Sequence, residues 1–239
     1  MKLTHVPVAL VVLAVLSSLA LVASGFGARF GVWDFRFGFT LLRWSLYTGL
    51  AIAALALIAL VVPRVRLGHG WSLVAAIVIG LGVAYFPWHW QQVARAVPPI
   101  NDITTDTANP PAFVAILPLR AGAPVSADYP GAETAAKQQS AYPDIRPLDL
   151  NVPPAAAFAR ALDVAKSFGW QIDATDTANG RIEATATTPW FGFHDDVVIR
   201  VTPTATGSRV DIRSHSRVGR SDLGTNAKRI REFLEKLAA

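Results

Sequence analysis

The side chains best able to do chemistry stand late in the chain, in the runs His194-Asp195-Asp196 and Arg213-Ser214-His215-Ser216-Arg217, with Asp222 shortly after. His and Asp are ligands for zinc or iron, but a site needs three or four of them converging. Adjacent residues on a strand point to opposite faces, so His194-Asp195-Asp196 predicts no metal centre. The same geometry separates Asp195 from Asp196 as an acid–base pair, and Ser214 or Ser216 from His215 as a hydrolytic pair; no nucleophile elbow is present. The chain contains no Cys, which removes disulfides, thiolate metal sites and a thiol nucleophile. No catalytic residue, metal or cofactor is expected.

What remains is arginine. Arg200, Arg213, Arg217 and Arg220, with His215, form a candidate ligand-binding set, because guanidinium forks match carboxylate and phosphate. Arg213, Arg217 and Arg220 lead through Gly219 towards a helix start, and arginines beside a helix N-terminus can hold an anion. The competing reading is a helix whose positive end is already occupied by Asp222. A second candidate set is aromatic. Phe35 and Phe37 lie among Arg29, Arg36 and Arg43, and Trp190, Phe191 and Phe193 flank Gly192. Both suit partner binding, since aromatics and Arg dominate interface hot spots. For the first group the alternative is an interfacial loop without a partner. For the second it is a membrane-facing wedge or a plug closing a sheet edge.

The elements that must position these residues can be read from periodicity. From Asn151 onwards, Pro153 and Pro154 suit a first helical turn, Phe158, Leu162, Ala165 and Phe168 recur at helical spacing, and Gly169 ends the helix. Four alternating strands follow. The first is carried by Trp170, Ile172 and Ala174, the second by Ile182, Ala184 and Ala186, the third by Val197, Ile199 and Val201, and the fourth is Arg209–Arg217. Asn179-Gly180 and Gly207-Ser208 supply turns. Ser221 and Asp222 suit the start of a last helix whose apolar face is Leu223, Ala227, Ile230, Leu234 and Leu237. The expected domain, 151–239, is helix, four-stranded antiparallel sheet, helix: an α+β fold.

Its second sheet face would then carry Asp173, Arg181, Glu183, Arg200, Arg209, Asp211, Arg213, His215 and Arg217. Three readings stand: a solvated face with cross-strand ion pairs, an anion-binding surface, or a face covered by the preceding segment through Asp102, Asp106 or Asp144. That segment, 98–150, holds nine prolines, which argues against long helices and central strands. Its apolar residues, among them Ile103, Phe113 and Ile116, predict an extended strap wrapping the domain.

Residues 1–97 contain three charge-poor spans, 6–23, 44–62 and 71–90, each near the length needed to cross a bilayer. Trp44, Trp71, Trp88 and Trp90 mark their ends. Lys2 before the first span leaves a cleaved signal peptide as its alternative. The mean hydropathy of +0.36 fits a membrane protein. The seven Lys/Arg of residues 1–97 face one acid, whereas the rest of the chain carries 15 basic and 16 acidic residues. The positive charge therefore flanks the membrane spans and excludes a nucleic-acid-binding domain. The short loop 63–70, with Arg64 and Arg66, mildly favours the cytoplasm, placing the C-terminal domain in a periplasm-like compartment.

Several motifs carry a resemblance: Asn101-Asp102-Ile103-Thr104-Thr105-Asp106, Tyr142-Pro143-Asp144-Ile145, Arg181-Ile182-Glu183-Ala184-Thr185 and Trp190-Phe191-Gly192-Phe193 with Asp195-Asp196-Val197. Arg213 to Gly219, Ser221-Asp222-Leu223-Gly224 and Asn226-Ala227 complete it. Together they resemble domain-of-unknown-function family 1499 of bacteria and plastids, over about 98–237. The resemblance implies that strap and domain form one unit, and thylakoid-lumen members favour the periplasmic side. It implies no activity. The expected role is a non-catalytic, membrane-anchored accessory or interaction protein of the cell envelope. Its partners would be the inner-membrane bilayer and another membrane protein or complex. The alternative is an extracytoplasmic domain binding or sensing a small anion on its arginine face; a hydrolase or metalloenzyme comes third.

Overall fold

A computed structural model describes residues 5–239, so the Lys2 that bears on the signal-peptide alternative lies outside the described residues. The chain divides into two compact units: one runs to Val93 and takes in Pro189–Gly192, the other comprises Ala94–Thr188 and Phe193–Ala239.

The first unit is built from α1 (Val6–Arg29), α2 (Phe35–Val61), the single turn α3 (Pro63–Arg66) and α4 (Gly70–Ala96). α1, α2 and α4 are long and apolar enough to cross a membrane, with mean hydropathies of 2.7, 2.1 and 1.8. The expected loop 25–43 is mostly helix. α1 continues to Arg29 and α2 begins at Phe35, leaving residues 30–34 as the turn. Arginine ends a hydrocarbon span without ending a helix, because its helix propensity is high. Asp34 opens α2 as its N-cap, accepting from Arg36 N–H at 2.8 Å, the partner a first-turn donor needs.

Small residues set the helix contacts. A Cβ on Gly49 would lie 2.5 Å from the carbonyl oxygen of Gly80, and one on Gly80 would lie 2.7 Å from that of Gly49. Ser17 and Thr48 hydroxyls share a hydrogen bond of 2.7 Å between α1 and α2. Close backbone approach and hydroxyl pairing are the forces available where lipid removes the hydrophobic drive for helix association.

The second unit is an antiparallel sheet of six strands: β1 (Asp102–Thr104), β2 (Leu148–Leu150), β3 (Gln171–Asp176), β4 (Arg181–Thr187), β5 (His194–Pro203) and β6 (Ser208–Ser216). The order is β1-β6-β5-β4-β3, with β2 also on β6. The two strands beyond the expected four come from the strap. β1 pairs Asp102 with His215 and Thr104 with Arg213, while β2 pairs Leu148 with Val210. Three residues are too short for alternation to be visible. The strap also holds a helix, α5 (Ala132–Ala141), in the window between Pro130 and Pro143 where nothing blocks one.

Two helices, α6 (Pro154–Ser167) and α7 (Thr225–Ala238), supply one wall of the core. Ile182, Ile199 and Ile212 stand in one row of the sheet and meet Ala157, Phe158 and Ala161 of α6 and Ala227, Ile230, Phe233 and Leu237 of α7. The last helix starts later than expected. Leu223 precedes it at φ 56, and Phe233 rather than Leu234 joins Ala227, Ile230 and Leu237 on its fully buried inner face. Gly180 turns β3 into β4 at φ +62, with Val201 O so close that a Cβ would lie 2.2 Å away.

Substituting Gly80→Val should force α4 away from Gly49 and destabilise the helix unit by about 1–3 kcal/mol, the usual cost of overpacking. Thermal unfolding of the full chain in detergent measures it. An unchanged midpoint would mean that the Gly49–Gly80 approach does not hold the bundle.

Candidate functional site

The second sheet face collects the charged residues as alternation requires, but it is not open to solvent. Glu183, Asp211, Arg213 and His215 are between 0% and 3% exposed. This corrects the solvated-face reading: the strap covers the face, and its polar atoms pair with those beneath.

Three contacts fasten the cover. Asp102 on β1 accepts two hydrogen bonds from Arg213, from Nε at 2.9 Å and Nη2 at 2.8 Å. The same guanidinium also donates to the carbonyls of Pro111 and Ala127 at 3.2 and 2.8 Å. Arg120 reaches the other way, from the strap to Asp196 at 2.6 Å, and bonds the carbonyl of Val125 at 3.1 Å. Glu183 accepts the consecutive backbone N–H groups of Val114, Ala115 and Ile116 at 3.0–3.1 Å and faces Arg181 Nε at 3.0 Å. Phe113 lies between the two cations, its ring 4.7 Å from Arg213 Cζ and 5.9 Å from Arg120 Cζ.

Arg200 and Arg217 are also paired. Arg200 bonds Asp106 at 3.2 Å and Asp211 at 3.0 Å, and Arg217 holds Asp196 at 2.7 Å and the Thr185 hydroxyl at 3.1 Å. Asp144, the third carboxylate expected on the sheet face, instead pairs with Arg231 of α7 at 2.5 and 2.8 Å. Arg220 is exposed. The start of α7 is closed by Asp222, whose carboxylate accepts Gly224 N–H at 2.9 Å and Asn226 N–H at 2.8 Å. Burial raises the pKa of Asp222. Arg213 and Arg217 therefore direct their donors to Asp102 and Asp196, and the five candidate ligand residues do not form one open site.

His215 is fully buried, stacked 6.4 Å from Phe113. Its Nδ1 lies 3.5 Å from Asp102 Oδ2, outside hydrogen-bond geometry, and neither ring nitrogen has a partner. Desolvation, reinforced by Arg120 and Arg213, drives its pKa from 6.5 to about 2. Burial lifts the Tyr129 hydroxyl, also without a partner, to about 12. Ser214 and Ser216 bond Asn226 at 2.7 and 3.0 Å, in a second buried network where Arg229 reaches Asp195 at 2.7 Å. Neighbours Asp195 and Asp196 thus serve opposite faces. Among the described residues no three His, Cys, Asp or Glu side chains are placed to share a metal ion.

The aromatic candidates separate. Within the helix unit, Trp190 Nε1 donates to Val22 O at 3.1 Å, and its ring meets Phe86 and Phe191 edge-on at 5.2 and 4.9 Å. Phe191 packs on Phe39 at 5.0 Å. A Cβ on Gly25 of α1 would meet the Trp190 ring at 2.4 Å. Trp190 and Phe191 are thus neither an exposed wedge nor a sheet-edge plug. Phe193 closes its own turn, its N–H donating to the Thr188 hydroxyl at 2.8 Å. Phe35 and Phe37 lie on α2 beside Phe39 and Trp33 at 5.8 and 5.5 Å, and Phe37 is half exposed.

Arg120, the Glu183 cradle, Asn226 and Arg229 went unrecognised in the sequence. One signal for Arg120 was available: it is the only charged residue between Asp106 and Asp128, and a lone cation in a neutral segment asks for a carboxylate. A groove of about 350 Å³ lies along Gln138, Gln139, Thr107 and Arg146. Gln138 is committed there to the main chain of Thr104, at 3.0 and 2.6 Å.

Comparison with known proteins gives one family. Its model, described as Protein of unknown function (DUF1499), matches residues 102–237. No curated protein matches the chain.

Removing one partner of a buried ion pair strands the other, so Asp102→Asn should cost about 3–5 kcal/mol, whereas Asp102→Leu with Arg213→Met should recover most of the loss. Chemical denaturation of the three proteins checks this. His215 predicts a pH dependence. The unfolded chain gains its proton as pH falls through 6.5, while the folded chain resists until about 2. Stability should therefore fall by up to about 1.4 kcal/mol per pH unit below about 6. His215→Phe should flatten that part of the slope between pH 7 and 4.5; an unchanged slope would contradict it.

Proposed function

The chain belongs to the DUF1499 family, proteins of unknown function, and on that premise we propose that it is a non-catalytic, membrane-anchored accessory or interaction protein of the cell envelope. The observation that carries this reading is the internal neutralisation of the sheet face. The arginines and carboxylates that chemistry would need bind one another and the strap, through Asp102–Arg213 and Arg120–Asp196. A buried His215 held neutral by desolvation is a poor proton carrier at cellular pH.

Anchoring is supported by three helices of spanning length and hydropathy. We assign the anchor to the inner membrane and the α+β unit to the periplasmic side. Arg64 and Arg66, in a short connection free of acids, favour the cytoplasm for that end of the spans. A second membrane protein is the proposed partner, and Phe37, half exposed near the start of α2, is the aromatic side chain offered to it.

Extraction from native membranes in mild detergent, followed by native mass measurement, tests the reading. A stoichiometric membrane partner is expected, lost in Phe37→Ala while the melting of the α+β unit is unchanged. A lone chain or a homo-oligomer would contradict it.

A further inference from the structure

The strap segment Phe113-Val114-Ala115-Ile116-Leu117-Pro118-Leu119-Arg120 is divided by its own fastening. Phe113, Ile116 and Arg120 turn into the sheet and are 5%, 0% and 6% exposed. Val114, Leu117 and Leu119 turn out and are 48%, 46% and 51% exposed, the only exposed large hydrophobic side chains among the described residues after α4. We propose that this ledge docks on the lipid headgroup surface of the bilayer that the same chain spans. The proposal rests on the membrane-anchored reading above.

The ledge cannot relieve its exposure by turning over. The N–H groups of Val114, Ala115 and Ile116 are held by Glu183. One turn later Arg120 is locked to Asp196. The turn Leu117–Arg120 between them is a short 3-10 helix, so Leu117 and Leu119 are presented on a rigid base. A surface already ordered loses little freedom on docking.

Its composition selects a lipid surface over a protein. Protein hot spots are rich in Trp, Tyr and Arg and poor in Leu and Val, and the outward side chains here are aliphatic. Between Thr107 and Ala127 the only charge is Arg120, and it is buried. No acid on this stretch repels anionic headgroups, and the side chains that would enter the interface carry no charge to desolvate. Three aliphatic side chains bind lipid weakly in free solution. Here α4 ends at Ala96 and β1 begins at Asp102, so a short tether raises the effective concentration of the ledge at the membrane.

The cysteine-free chain allows a clean test. Single substitutions Leu117→Cys, Leu55→Cys and Ala205→Cys, each carrying a bimane label, are made in the full chain. They are reconstituted into phosphatidylcholine–phosphatidylglycerol vesicles with headgroup nitroxide lipid or acyl-chain nitroxide lipid. Leu55, in α2, reports insertion through the acyl-chain quencher, and Ala205, in the exposed β5–β6 turn, reports open solvent. The Leu117 label should be quenched by headgroup nitroxide several-fold more than the Ala205 label, and Val114→Asp with Leu119→Asp should abolish the difference. A Leu117 label as solvent-exposed as that at Ala205, with Leu55 quenched, would overturn the docking and leave the anchoring intact. A shielded but unquenched Leu117 label would overturn it in favour of a protein occupant. An unquenched Leu55 label would mean that the helices are not inserted, and both readings would fall.

Discussion

Everything in the α+β unit depends on closing one charged sheet face with the chain's own strap. An antiparallel sheet can leave a face to water, and this face, with Glu183, Asp196, Arg200, Asp211 and Arg213, has the composition for it. Once covered, each carboxylate must be matched, because an unpaired charge in the interior costs several kcal/mol. The matching is complete in kind: Asp102 with Arg213, Asp196 with Arg120 and Arg217, Asp211 with Arg200, and Glu183 with three backbone N–H groups and Arg181. Such pairs specify position more than they add stability, and here they fix where the strap lies.

That constraint also bears on function. Arg213, whose donors are directed to Asp102 and to the carbonyls of Pro111 and Ala127 in the strap, recognises an anion only if the strap leaves. The strap's own anchors, Phe113 and Ile116, are packed against Val198. On the segment 113–120 the cover leaves Val114, Leu117 and Leu119 outside and buries the one charged residue, Arg120, while the helix unit exposes aromatic side chains of its own.

The sequence made the long elements legible and the short ones not. The rows Ile182–Ala186 and Val197–Val201 alternate over enough residues to announce both strands and faces, and α6 shows its helical spacing between Pro154 and Gly169. β1 and β2, three residues each, carry no readable period, and α5 was masked by the proline count around it. The segment 25–43 is mostly helix rather than loop because a helix runs on past the charged residues that end its hydrophobic span. On the charged face, alternation identified the residues, but the choice between water, ligand and strap turned on tertiary pairing. Asp102 and Asp106 could be suggested as partners because they are carboxylates in a segment expected to wrap an arginine-rich face. The partners of Glu183 gave no signal, since they are main-chain N–H groups, and Arg120 gave only the weak signal of a lone cation.

The most direct test of the covered face is amide hydrogen exchange on the full chain in detergent, read at Val114, Ala115 and Ile116. These amides lie in an irregular segment and have no ladder to protect them, so only the Glu183 carboxylate can do so. If the strap is an integral part of the fold, they exchange as slowly as the amide of Ile199, on β5 between β4 and β6, through the same cooperative opening. Exchange at the rate of an unstructured peptide would mean that the strap is a loose tether and the arginine face is open.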